Sequence, residues 1–367
     1  MIVTRDATPA DNAALLALAS GCPMVGDLTM CVERDPDFFA LNRLEGERWR
    51  VGVATAPGHE VSGCVGVSER QAYLFGRPAE TVYAGDLKVH PGARGGGSAP
   101  ALFRWAQDAG RAYGGADAPT LVTILAGNRP MERLAQRGNG LPVMDRFATV
   151  RVYAIPLLTR RRPADAGLRI TRAEWRDVGA MLELWRRVAP RRQFAPVFDA
   201  ERFVAWVAAA PGLAIHDYWL AWRADGRLAG FVALWEQSAF KRLRVLAYSR
   251  RLAALRLAIN SVGRLTGGAT LPRTGEPLRT ATALHLCVPA EEPAILRALL
   301  LRSYAELRAQ RFAFFTLGLD VRDPLTAALR GLLAQPTDVN AWITTPAGRY
   351  TAAALDDRPL HYDIAFV

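Results

Sequence analysis

The sequence predicts an α/β protein made of two similar halves. Three observations carry this: a length of 367 residues, long for one domain; an order of elements that recurs; and a charged Pro/Gly connection between the two runs. Half of the residues are hydrophobic and 22% are charged, enough apolar material for ordinary cores.

The first half opens with a strand at Ile2–Thr4 and a helix at Pro9–Ser20, where Leu15, Leu16 and Leu18 recur at helical spacing. A hairpin follows, Arg48–Ala54 and Val61–Ser68 around Pro57-Gly58. Strand, helix, strand and helix come next, at Thr81–Val89, Ser98–Tyr113, Thr120–Leu125 and Arg129–Arg137, and Ala148–Ile155 closes the half. The second half repeats the order. Leu168–Thr171 is its strand and Arg172–Val188 its helix, and Asp225-Gly226 turns a hairpin of Tyr218–Arg223 and Leu228–Trp235. Thr280–Val288, Glu292–Gln310, Phe312–Leu319 and Pro324–Ala334 then alternate strand and helix, with Leu360–Phe366 as the closing strand. The stretch 159–167 is the boundary candidate, dividing 1–158 from 167–367.

Composition excludes several classes. No run approaches the roughly 18 apolar residues that span a bilayer, and the N-terminus reads as a strand, so a cytoplasmic protein is expected. Cys22, Cys31, Cys64 and Cys287 are scattered without metal spacing, so reduced thiols and no metal site are expected. The net charge is +11, and all but two of the 46 basic residues are arginine; the exceptions are Lys88 and Lys241. That skew fits a GC-rich, bacterial coding bias. The charge concentrates at 241–279, where nine basic residues accompany only Glu276. A basic amphipathic helix within 241–265 is expected, docking an apolar side; sharper readings are an acidic carrier protein, an acidic substrate or an anionic membrane. Nucleic acid ranks lower, because no binding motif accompanies the charge.

The chemistry lies at Leu87-Lys88-Val89-His90-Pro91-Gly92-Ala93-Arg94-Gly95-Gly96-Gly97-Ser98-Ala99, a strand running through a glycine-rich loop into a helix. Consecutive glycines admit positive φ and close ligand approach, Ser98 suits the helix cap, and free amides at a helix start form an anion site. The loop lacks both the Gly-Lys-Ser/Thr of phosphate loops and the dinucleotide spacing.

Val89-x-Pro91-x-x-Arg94-Gly95-x-Gly97-x-Ala99 resembles the signature of the GCN5-related N-acetyltransferases, in which Arg/Gln-x-x-Gly-x-Gly/Ala follows a strand ending Val-x-Pro. The resemblance implies tandem acetyltransferase-like domains, each a mixed, mostly antiparallel twisted sheet flanked by helices. It implies acetyl-CoA as donor, its pyrophosphate on the amides of Gly95, Gly96, Gly97, Ser98 and Ala99, and its pantetheine arm along Leu87, Lys88 and Val89. Asn128 resembles the family's Asn at the start of the following helix. The acceptor is then a small-molecule or peptide amine, attacked directly in a ternary complex. Many members place a tyrosine acid one to two turns after that Asn; here Leu134-Ala135 stand instead. Asp86 is the first candidate base and Glu69 the second. In the second half Val288-Pro289-Ala290-Glu291-Glu292 replaces the glycines and arginine with carboxylates that would repel a pyrophosphate, so that half is expected to be degenerate. Two further readings remain: an acyltransferase fed by a carrier protein, and a non-catalytic CoA-binding module.

Overall fold

The structure is a computed structural model, and it describes residues 2–115, 118–136, 144–162, 167–344 and 351–366. In the first half the elements are β1 (Val3–Asp6), α1 (Asn12–Ser20), β2 (Leu28–Glu33), α2 (Asn42–Glu45), β3 (Arg48–Ala56), β4 (His59–Leu74), β5 (Arg77–Val89), α3 (Ser98–Gly114), β6 (Thr120–Leu125), α4 (Arg129–Gln136) and β7 (Asp145–Pro156). The second half holds β8 (Arg169–Arg172), α5 (Val178–Val188), β9 (Ala195–Pro196), α6 (Ala200–Ala209), β10 (Tyr218–Trp222), β11 (Leu228–Trp235), β12 (Arg242–Tyr248), α7 (Arg250–Thr266), β13 (Pro277–Leu278), β14 (Thr280–Cys287), α8 (Pro293–Ala309), β15 (Phe314–Asp320) and β16 (Gln335–Thr344).

One large sheet runs through both halves in the order β1-β3-β4-β5-β6-β16-β7-β15-β14-β11-β10-β8. Most neighbours are antiparallel, and β5·β6 and β14·β15 are parallel. The order reads alike from either end, with its centre between β16 and β7. The last strand of the second half enters between β6 and β7, while β7 crosses to pair with β15. Helices α3 and α8 cover one face, with Val82, Ala84, Val122 and Ile124 under α3 and Ala281, Ala283, Phe315 and Leu317 under α8.

The two parallel pairs share a geometry that sets up the site. Strand β5 pairs with β6 only through Val82, Tyr83 and Ala84, and β14 with β15 only through Thr280, Ala281 and Thr282. Beyond these residues the strands part. Each parting coincides with a bulge, where a residue enters the left-handed region: Asp86 at φ 58° in β5, and His285 at φ 51° in β14. A bulge bends its strand away from a neighbour.

In the second half, residues 360–366 fill the gap. Asp363 Oδ1 accepts from the His285 amide at 2.9 Å, and Asp320 Oδ2 accepts from the Leu360 amide at 2.9 Å. A Cβ on Gly318 would lie 3.0 Å from the Tyr362 ring, so glycine lets the segment close on β15. This segment was expected to be a strand; it instead forms one bridge, Leu360 to Gln193, and a short 3-10 turn at Ile364–Phe366. The closing strand is β16, whose Val339, Ala341 and Ile343 are buried.

Burial pushes the His285 imidazole down to about 4, Asp363 opposing the shift and His361 reinforcing it. A histidine with a lowered folded pKa adds stability above its unfolded pKa that is lost as pH falls toward the folded value. Between pH 6.5 and about 4 this loss should reach on the order of 3 kcal/mol. Urea melts at pH 7 and pH 4.5 should show it, and His285→Gln should flatten the difference; an equal slope in the variant would assign the acid sensitivity elsewhere.

Other expectations are corrected locally. Pro324–Leu329 is a 3-10 turn rather than a longer helix, its start set by Asp323 accepting from the Leu325 amide. The basic segment begins as strand β12 before helix α7, and β12 joins β2 and β13 in a separate three-stranded sheet. Its charge is partly answered from elsewhere: Arg244 meets Glu33 at 2.9 Å, Arg242 lies 3.6 Å from Asp35, and Arg279 meets Glu236 at 2.9 Å.

Candidate active site

The glycine-rich loop folds into a tight turn at the start of α3. Gly95 and Gly97 have φ of 82° and 95°, values that a side chain strains to reach. The helix cap is Gly97 rather than the expected Ser98, because the left-handed turn ends one residue earlier. Ser98 occupies the first helical position, buried, with its hydroxyl 3.0 Å from that of Ser62 on β4. Amides in the first turn of a helix have no intrahelical acceptor, and the following Pro100 contributes none. They face a cavity.

That cavity is large, about 1400 Å³. Its mouth is lined by Leu87, Lys88, Val89, Arg94, Gly95, Gly97, Ser98 and Ala99, with Asn128 across from them at the start of α4. Asn128 accepts the Glu132 amide through its backbone, which fixes the helix entry. Inside, the cavity passes through the gap between β5 and β6. One side of it runs beside α3, touching Ala84, Ala106, Gly110, Ala118 and Val122. The other lies on the opposite face, where Thr280, Thr282, Thr316 and Thr337 line the central strands. The small sheet walls it through Met30, Val32, Leu243 and Leu278. Thus β2 and β12, neither anticipated from the sequence, form part of the enclosure.

Asp86 lines the cavity at the β5 bulge, where its carboxylate is bridged by the Arg34 guanidinium and the Lys88 ammonium. Burial pushes Lys88 down to about 8, with Arg34 acting in the same direction. Lys241 also lines the cavity, pushed down to about 7 by burial, then by Arg34 and Lys88, and its ammonium donates to the Ala365 carbonyl at 3.2 Å. Both lysines of this arginine-rich chain therefore border one cavity. An arginine there could not titrate.

Glu69 is placed elsewhere. It is buried on β4, gripped by Arg48 at 2.5 and 2.7 Å near the far end of α3, and it does not line the cavity. Among the described residues no tyrosine lines it either. Tyr83 is buried with its hydroxyl 3.1 Å from that of Thr123, and the Tyr113 ring lies under Arg48. The His90 ring lies tilted against His59 beside the loop, its centroid 4.4 Å away, and accepts the Gly92 amide. Sequence reasoning missed Arg34 and the approach of the C-terminal segment, whose Ile364 reaches the cavity wall. Both depend on long-range placement that no local pattern signals. Lys241 carried one signal, its rarity.

Glu291 and Glu292 stand at the start of α8 as expected, paired with Arg191 and Arg223. Among the described residues no cluster of His, Cys, Asp or Glu could hold a metal, and no helix is long and apolar enough to cross a membrane.

No family model and no curated protein matches the sequence. Solved structures do match in fold. A GCN5-related N-acetyltransferase from Sphaerobacter thermophilus aligns with a TM-score of 0.59 at 15% identity, over 94% of this chain and 96% of that one. Saccharomyces cerevisiae N-myristoyltransferase, solved with bound myristoyl-CoA, aligns with a TM-score of 0.63 at 12% identity, over 94% and 82%. A GCN5-related N-acetyltransferase from Anabaena variabilis gives 0.53 at 12%, over 94% and 73%. Fold and comparisons together define a mixed α/β protein that shares its architecture with these structures. Its fold is that of the GCN5-related N-acetyltransferases.

Proposed function

We propose that the chain is an acyl-CoA-dependent N-acyltransferase with one active site, in the half comprising residues 1–158, and a degenerate second copy of the domain in 167–367. The observation that carries the reading is the left-handed glycine turn at the start of α3, opening into a cavity that crosses the sheet where β5 and β6 part. In this reading the amides of Gly95, Gly97, Ser98 and Ala99 hold the CoA pyrophosphate, helped by Arg94. The expected Gly96 amide is instead turned to the Ala93 carbonyl at 3.3 Å, and Gly96 does not line the cavity. The backbone of Leu87–Val89 pairs with the pantetheine arm. Asn128 sits across the arm. The amine acceptor enters by the threonine-lined arm on the opposite face.

Transfer needs a proton removed from the acceptor ammonium and one delivered to the leaving thiolate. Asp86 and Lys88 are the groups proposed for this. The amine nitrogen bonds to the thioester carbon as the C–S bond breaks. The acceptor ammonium first gives one proton to water. The second nitrogen proton, acidified as the C–N bond forms, passes to the neutral Lys88 amine, which Asp86 orients, and then to the CoA sulfur. A group near pKa 8 suits both transfers, since it lies close to a thiol's own value. This route fits the absence of a cavity-lining tyrosine among the described residues. Glu69 would have to act from outside the cavity, and Asp86 ranks above it for that reason.

Incubation with acetyl-CoA and a panel of primary amines, read by release of free CoA thiol, tests the reading. Binding of CoA without release across the panel would favour the non-catalytic module. Release only with an acylated carrier protein would favour the carrier-fed enzyme.

The second parting of strands predicts stoichiometry. Residues 360–366 occupy it, and Glu291 and Glu292 sit where the cradle amides would be needed. Titration should give one CoA per chain; two equivalent sites would overturn the degeneracy.

A further inference from the structure

Helix α7 was expected to dock an apolar side, yet the side it docks is largely polar. Asn260 exchanges two hydrogen bonds with the Leu271 backbone, at 3.0 and 2.7 Å, and Arg256 donates to the same carbonyl at 3.3 Å. Gly263 lies against this segment, where a Cβ would come within 2.3 Å of the Ala269 carbonyl. Residues 256, 260 and 263 recur at helical spacing and so define the side that is held. Leu252 and Ile259 are half-buried beside them. The outward side carries Leu255, Leu257, Val262 and Leu265, exposed by 55, 73, 51 and 87%. Apolar residues scattered singly on a surface need no explanation, but four on one 17-residue helix form a patch. Arg250, Arg251 and Arg264 stand among them, also exposed. The arginines of β12 are answered by Glu33 and Asp35, whereas these three have no ion pair among the described residues. From Lys241 to Gly275 the sequence holds no carboxylate at all.

We propose that α7 is an interfacial helix by which the protein docks on an anionic membrane surface. The inference goes beyond the acyltransferase reading and does not depend on it. The helix lies in the plane of the membrane, its four aliphatic side chains at the boundary of headgroups and acyl chains, its arginines on lipid phosphates. Lipid fits this side better than an acidic protein does. Protein interfaces take much of their energy from buried aromatic anchors, and the outward side of α7 has none; its remaining residues are Ala253, Ala254, Ala258 and Ser261. An exposed carboxylate, Asp27, stands only at the N-terminal end, where its carbonyl accepts the Ser249 amide at 2.8 Å. The same loop carries Met24, which lines the cavity, so docking brings the cavity close to the lipid.

Sedimentation with vesicles of phosphatidylcholine, pure or with about 30% phosphatidylglycerol, tests this on the full chain. Binding to the anionic vesicles should be at least about a hundredfold tighter than to the neutral ones, and should weaken with salt. Each basic residue at such a surface contributes about fivefold, so Arg250→Gln/Arg251→Gln/Arg264→Gln should lose about a hundredfold. Leu257→Ser/Leu265→Ser keeps the charge and should lose at least about tenfold. All five side chains are exposed, so thermal melts should match the wild type. Because the chain carries a net charge of +11, a control removes three exposed arginines of α3 and α5, as Arg104→Gln/Arg186→Gln/Arg187→Gln. It should lose less than roughly fivefold. An equal loss in the control would assign binding to net charge and overturn the proposal. Failure to bind anionic vesicles would overturn it too, as would full binding by the folded leucine variant. If vesicles fail while a purified acidic carrier protein binds the wild type and not the triple arginine variant, the helix docks a protein instead.

Discussion

Ala99→Asp is expected to lower CoA affinity at least about a hundredfold while leaving thermal stability equal or slightly higher. Ala99 lies in the first turn of α3 and lines the cavity mouth. An added carboxylate there interacts favourably with the helix dipole, an effect of about 0.3–1 kcal/mol. The same carboxylate would stand within a few ångströms of the proposed pyrophosphate. Like charges at about 4 Å repel by several kcal/mol near a protein surface, so binding and stability should move in opposite directions. Calorimetry against free CoA, beside a thermal melt, reads both. The variant reproduces in the first half what Glu291 and Glu292 do at the start of α8. Gly97→Asp should abolish binding too, but less cleanly: its φ of 95° strains any side chain, and a Cβ would approach Ile2 to 3.1 Å. Unchanged CoA affinity in folded Ala99→Asp would remove the pyrophosphate from this turn.

Much of this site was legible because its signals are local. The strand, loop and helix from Thr81 to Tyr113 appear within a few residues of their expected bounds, and the glycines at 95 and 97 take the left-handed backbone. Hairpins read well wherever the turn residues were distinct, as at Asp225-Gly226, where Gly226 has φ 80°. Strands β4 and β5 were read short, as Val61–Ser68 and Thr81–Val89, and the hairpin that joins them was missed, because its turn is Phe75-Gly76 and a phenylalanine at positive φ gives no turn signal. What pattern reading lacked was partner choice. Nothing in the periodicity of Gln335–Thr344 says that it will insert between β6 and β7, two hundred residues back in the chain. The same holds for Arg34, an arginine among 44 that burial and Asp86 single out only in three dimensions. The basic segment misled for a related reason. Its charge was counted along the chain, while Glu33, Asp35 and Glu236 answer it across space.

Lys88→Arg and Asp86→Asn should each lower kcat/KM by about a hundredfold, the range typical for loss of a proton-transfer group, with different pH signatures. In the wild type, neutral Lys88 is the active form, so kcat/KM should climb as pH rises toward about 8 and the ammonium loses its proton. Lys88→Arg keeps the positive charge beside Asp86 but removes titration, because a guanidinium stays protonated throughout this range. The limb near pH 8 should vanish with it. Asp86→Asn acts the other way. It leaves Lys88 facing the Arg34 cation without the carboxylate between them, which disfavours the charged amine further and moves the limb to lower pH. The lost rate in Asp86→Asn therefore reflects misorientation of Lys88, and the deficit should be smallest below the wild-type limb, where the variant keeps more of Lys88 neutral, and reach its full size above it. CoA affinity distinguishes a chemical role from a binding one: neither side chain is assigned to the pyrophosphate, so affinity should change by less than the rate. If Lys88→Arg retains full activity with an unaltered pH limb, Lys88 is not the relay, and the ion pair with Asp86 then serves only to hold the β5 bulge. If Asp86→Asn alone is silent, the orientation of Lys88 is set by the cavity walls, and the assignment of Asp86 falls while that of Lys88 stands.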